Sequence, residues 1–277
     1  MPDARNLVDR DWIRVPLFAI LVYETAALIA RSFLEVRLRH SGYEPDLAGD
    51  LSYLVVPPIL LLLMYPAMRD HGHRVLALYR LSGLGLRLIA IGIALGITLR
   101  CAFWGGLIAT TSFGLSFSAD GLPAIAPYFS WQCPPLWPLA LGILVSVLLI
   151  PPIEEVINRG FFLHRLLHRG RLFAVVASSV LFAIYHNPQT IYLAFAIGLF
   201  FAVATLNSGT LWIATLAHAA YNFTSQLDWR CLNGRWNPLD TTPLIASAGA
   251  MATALMLVSL LLSCLLISKR IIGPGAR

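Results

Sequence analysis

Apolar stretches about as long as a bilayer is thick recur along the whole chain, near 13–31, 51–68, 86–109, 136–153, 172–187, 190–206, 210–226 and 242–268. A helix needs roughly 20 apolar residues to cross the hydrocarbon core, and lipid offers no partner to a backbone group left unpaired within the segment. The pattern therefore predicts an all-α fold, a polytopic membrane helical bundle of about eight transmembrane helices, read as one domain over 1–277. Charged residues are 12% of the chain and apolar ones 58%, where soluble domains carry roughly 25% and 45–50%. That excludes a soluble globular class. The net charge of +6 lies in arginines scattered between apolar runs, with no continuous basic tract interleaved with aromatics, so nucleic acid is excluded as a partner. The lipid bilayer is the first partner implied.

Orientation follows from the basic residues, because cytoplasmic loops are enriched in them. With the N terminus inside, the cytoplasmic pieces hold 14 basic residues and the outer pieces 5, namely Arg31, Arg37, Arg39, Arg230 and Arg235; Arg100 falls within the third span. Both termini are thus expected in the cytoplasm. Trp131, Trp137, Trp229 and Trp236 collect at the predicted outer face, as interfacial anchors do. Met1 to Asp11 is polar and mixed in charge, and no small-residue cleavage pattern follows, so the first span is expected to stay. Four cysteines match no zinc spacing. Cys101 and Cys264 fall inside spans, whereas Cys133 and Cys231 fall in two outer loops, where an oxidising compartment would permit a bridge.

Charge inside a span is expensive, and such residues normally face a cavity or a partner. Glu24 stands in the first span, Arg87 and Arg100 border or enter the third, Glu154 and Glu155 close the fourth, His186 lies late in the fifth, and His218 and Asn222 share the seventh. Helical spacing sets Glu155 over Arg159 and turns Glu154 about 100° away, so one carboxylate reads as braced and the other as free. Two adjacent carboxylates in an apolar site disfavour joint ionisation, which suits one of them to general-base work. Pro151 and Pro152 remove two backbone donors just before them, a break tolerated at membrane depth where backbone borders protein or water. Phe182 and His186 share a face, as do His218 and Asn222, and alanines flank His218 so that another helix or a substrate can approach. Taken singly, each group also reads as an interfacial ion cluster or an interhelical hydrogen bond.

The ordered set Glu154-Glu155-x-x-x-Arg159, Phe182-x-x-x-His186 and His218-x-x-x-Asn222, on successive helices, resembles the type II CAAX prenyl endopeptidase family, also called the CAAX protease and bacteriocin-processing family. The resemblance covers residues 136–226, a core within the single domain; the first 130 residues add only compatible topology. It implies a glutamic-type intramembrane endopeptidase acting on a membrane protein or lipidated peptide. Carried over, Glu154 is the base that activates water, His186 helps to hold or deprotonate that water, and His218 and Asn222 stabilise the oxyanion. Glu155 and Arg159 brace the site, and Phe182 packs beside it as a supporting or substrate-binding residue. No cofactor is implied; zinc is disfavoured because the helical motif of two histidines flanking a glutamate is absent. The arginine bias suggests a bacterial inner membrane. A scaffold, a transporter or a bacteriocin self-immunity protein is the alternative, favoured by Glu24, Arg87 and Arg100, which the motifs leave unexplained.

One point of depth conflicts with these boundaries. At about 1.5 Å per residue, His186 lies far deeper than Glu154 if the fourth span ends near 153. Phe161, Phe162, Leu163, Leu166 and Leu167 allow the fourth helix to continue, which would lower Glu154 into the membrane. All four polar groups are then expected on one cavity.

Overall fold

The computed structural model describes residues 17–80, 84–117, 136–186, 191–226 and 245–268, and among them every regular element is helical. In chain order these are α1 (Leu17–His40), α2 (Pro45–Tyr53), α3 (Val56–Leu63), α4 (Tyr65–Ala77) and α5 (Leu86–Phe117). A long helical rod, α6, follows over 136–169, then α7 (Arg171–Ile184), α8 (Ile191–Ser208), α9 (Trp212–Gln226) and α10 (Ile245–Leu266). Among the described residues four helices, Leu17–His40, Leu86–Gly106, Trp137–Arg169 and Ile191–Ser208, are long and apolar enough to cross a bilayer. The protein is thus an all-helical, multi-pass membrane type.

Element boundaries differ from the apolar windows for identifiable reasons. The window 51–68 is divided among α2, α3 and α4, because Pro57–Pro58 and Pro66 sit in the first turns of α3 and α4, where a missing N–H is harmless but a continuous helix is not. Helix α1 runs past its apolar window: Arg31 and Arg39 both pair with Glu35, at 3.1 and 2.6 Å, and this polar ladder carries the helix to His40. Arg31, Arg37 and Arg39 therefore all lie within α1. Helix α6 does continue to Arg169, which puts Glu154 in the middle of a 33-residue rod. A sharp turn at Gly170, with φ of 104°, then reverses the chain into α7.

Side chains such as Phe18, Phe33 and Met251 are about three-quarters exposed, as lipid-facing groups are. Lipid is as apolar as leucine, so helix association rests on close packing of small residues more than on transfer from water. The seams bear this out. Ile20, Ala27, Leu60, Ala67 and Val75 of α1, α3 and α4 close on Ile157, Phe161 and Phe162 of α6. Leu95 and Leu99 of α5 meet Phe201 and Ala204 of α8 and Ala214 and Ala217 of α9. The α5–α9 seam is tightest at Gly96, where a Cβ would land on the carbonyl oxygen of Ala217 and lie 2.8 Å from the Cβ of Ala220. Gly96→Val should therefore push α9 off α5, with a cost of roughly 1–3 kcal/mol or more. A lowered melting temperature of the purified protein checks this, and an unchanged one would show that the seam is loose.

Candidate active site

The site begins with a fault in α6. Pro151 and Pro152 have no N–H, and their rings crowd the carbonyls four residues earlier. The preceding turn, Leu144–Leu149, widens to π-helical spacing, so that the N–H of Ile150 reaches Val145 O. The carbonyl of Ser146 is thereby freed: the i+4 donor has gone to Val145, and the i+5 residue is a proline. Asn222 of α9 takes it up, donating from Nδ2 at 2.7 Å. The proline pair thus fixes Asn222 and leaves its second amide hydrogen available. Just beyond, Val156–Leu163 is again π-helical, and Asn158 and His164 use their side chains to satisfy the carbonyls of Glu154 and Arg159, at 2.9 and 2.5 Å.

The two glutamates end up in different surroundings. Glu155 is fully buried; its Oε2 lies 3.2 Å from Nε of Arg159, itself 1% exposed, and its Oε1 accepts from Nδ1 of His218 at 2.9 Å. Arg159 donates onward to the carbonyl of Gly198 in α8 at 3.2 Å, and its guanidinium lies over the rings of Phe182, at 4.4 Å, and Phe201, at 5.5 Å. Glu154 keeps 26% of its side chain exposed, and its Oε2 lies 3.8 Å from Nε2 of His218. A carboxylate only accepts, so the bond to Glu155 places a proton on Nδ1 of His218 and turns Nε2 toward Glu154. The rings of Phe182 and Phe201 flank the imidazole, with centroids 5.8 and 5.5 Å away. His186 stacks at 4.5 Å on Phe182 and donates Nδ1–H to the Phe182 carbonyl at 2.8 Å, which leaves its Nε2 lone pair directed outward.

These groups open on two cavities instead of one. The larger, about 560 Å³, is walled by Glu154 and His186 together with Glu24 and Arg31 of α1, Tyr53 of α2 and Tyr185 after α7. The smaller, about 240 Å³, is walled by His186, His218 and Asn222 with Arg100 of α5 and Tyr221 of α9. His186 is the shared wall, and Glu154 and His218 meet across the boundary. The four groups expected on a single cavity are thus divided between two adjoining ones, with Phe182 in the wall of the smaller.

Glu24, Arg31 and Arg100 lie outside the three motifs, yet each lines one of these cavities. Glu24 is 6% exposed, and its Oε2 has no hydrogen-bond partner, so it turns a second carboxylate toward the cavity of Glu154. The cost of charge in a span was the signal in the sequence, but helical periodicity does not say which neighbour a charge will meet. Arg87 is exposed in the first turn of α5 and lines neither cavity. Among the described residues no three His, Cys, Asp or Glu side chains come together at metal-holding geometry. Cys133 and Cys231 lie outside the described residues, and Cys101 and Cys264 are free thiols.

No curated protein and no solved structure matches the chain. Residues 135–224, which carry α6 through α9, match a family model described as type II CAAX prenyl endopeptidase, Rce1-like. The segment that builds this site is thus similar to the Rce1-like type II CAAX prenyl endopeptidases, a family of proteases.

Proposed function

We propose that this protein is an intramembrane endopeptidase of the glutamic type, hydrolysing a peptide bond in a membrane-associated protein. The observation that carries the reading is the division between neighbouring glutamates. Glu155 is locked between Arg159 and His218, and Glu154 opens on a cavity of about 560 Å³ beside His186. In this scheme Glu154 takes a proton from a water held by His186, and the water oxygen bonds to the substrate carbonyl carbon. The carbonyl oxygen becomes an oxyanion. His218 in its doubly protonated form gives Nδ1–H to Glu155 and Nε2–H to that oxyanion, and Asn222 gives the amide hydrogen that Ser146 does not use. Collapse restores the C=O, breaks the C–N bond and returns the proton from Glu154 to the leaving amine. Glu155 and Arg159 hold His218 in place; Phe182 spaces the two histidines. No step is routed through a metal.

The substrate class rests on the family match alone: a membrane-anchored protein, with prenylated CAAX-type peptides the first to try. We assign the protein to a cell membrane of bacterial type, with about eight crossings and both termini cytoplasmic, from the arginine distribution. The test is cleavage of a lipid-anchored reporter peptide by the purified protein in vesicles. Wild type should cut it, with or without a chelator, and His218→Ala should lose about 10²–10³ in rate, the usual loss for one oxyanion donor. Equal processing by both proteins, or none by wild type, would favour a scaffold or transporter instead.

A further inference from the structure

The smaller cavity has a one-sided chemistry. Its polar walls are Arg100, His186, His218 and Asn222, with the hydroxyl-bearing Tyr221, and among the described residues no carboxylate lines it. Glu154 and Glu24 open on the other cavity, and Glu155 is consumed by Arg159 and His218. Arg100 stands out within this wall. Its guanidinium carbon lies 5.0, 5.1 and 5.3 Å from the rings of Phe103, Trp104 and Tyr221, an aromatic cradle that holds the cation without neutralising it. Its side chain hydrogen-bonds the neutral Tyr221 hydroxyl, but its buried Nε has no hydrogen-bond partner, and among the described residues no Asp or Glu pairs with it. A cation within a span ordinarily meets an anion from the protein; here none of the described residues supplies one.

We propose that this cavity is an anion subsite, and that its occupant is a carboxylate of the substrate peptide bound by Arg100. The inference rests on the protease reading for its place beside the cut. A guanidinium fork matches a carboxylate with two parallel hydrogen bonds, and the aromatic cradle limits its freedom, so the ordering entropy lost on binding is small. The cube root of 240 Å³ is about 6 Å, the span of about two extended residues. The carboxylate therefore lies within about two residues of the bond positioned at His186 and His218. Either a free C terminus or an acidic side chain supplies it.

The test is binding, so that it stands apart from catalysis. Lipid-anchored apolar peptides ending in a free acid or in an amide, with an internal Asp or Asn in a second pair, are titrated into the full-length protein in phosphatidylcholine nanodiscs. Wild type should bind the acid of one pair about tenfold to a hundredfold more tightly than its neutral twin, as for a hydrogen-bonded charge. Arg100→Met should bring that ratio to about one, and Arg100→Lys should keep part of it. The pair that discriminates identifies the source of the carboxylate. Equal binding of acids and neutral twins by wild type overturns the proposal, as does a ratio that survives in a folded Arg100→Met protein. A dependence on Arg100 seen only when phosphatidylglycerol replaces phosphatidylcholine overturns it in favour of a lipid phosphate. Acid-selective binding without cleavage of any reporter would uphold the subsite and sink the protease reading, so the two fail separately.

Discussion

Glu154→Gln should all but silence peptide hydrolysis while leaving the protein folded. Glutamine matches glutamate in size but cannot accept the proton that water must lose, and general-base catalysis contributes about 10²–10⁴ in rate. Turnover of a reporter in vesicles should fall by at least that factor, with KM little changed, because the amide still lines the same cavity. Stability should hold within about 1 kcal/mol, a typical effect for a substitution that neither opens a cavity nor strands a charge. The Glu154 carboxylate lies 3.8 Å from Nε2 of His218, beyond hydrogen-bond reach, and Glu24 lines the same cavity. Removing the charge also relieves the repulsion between the two carboxylates. A glutamine variant that turns over at the wild-type rate would remove Glu154 from the chemistry.

Arg159→Met should produce the opposite pattern, a loss of fold. Arg159 and Glu155 are 1% and 0% exposed, and their ion pair lies within the protein, tied to Gly198 on one side and His218 on the other. Taking away the guanidinium leaves a buried carboxylate with only an imidazole beside it, and breaking such a pair from one side costs about 3–5 kcal/mol. The double variant Glu155→Gln/Arg159→Met should recover part of this loss, since no charge is then stranded. Thermal unfolding of the three proteins in one detergent measures both effects. Wild-type stability in Arg159→Met would mean that the pair does not brace the core.

Most of the helices are legible from hydropathy, and the exceptions have physical causes. A window of apolar residues does not register that Pro57, Pro58 and Pro66 stop a helix, nor that the ladder of Arg31, Glu35 and Arg39 prolongs one. Within the site, the separation of Glu154 from Glu155 follows from helical phase and from Arg159 four residues on. Two features are not local and so left no such trace. The tie between Asn222 and the Ser146 carbonyl requires the π-helical turn that Pro151 and Pro152 induce, and that turn is visible only once the backbone is built. The meeting of Glu24 and Arg31 with Glu154, and of Arg100 with His218, depends on which helices are neighbours. Charge marked Glu24 and Arg100 inside apolar windows and Arg31 and Glu154 at window ends, but the partner is a matter of tertiary packing.

In the proposed mechanism adjacent glutamates divide one job between them, Glu154 for chemistry and Glu155 for architecture. The most direct measurement compares Glu154→Gln and Glu155→Gln in the same vesicles, reading turnover of the reporter and melting temperature for each. The predicted result is a crossing: Glu154→Gln nearly inactive at wild-type stability, Glu155→Gln markedly less stable and retaining more turnover than its neighbour. Glu155→Gln inactive at full stability, with Glu154→Gln active or unfolded, would contradict the account and exchange the two roles.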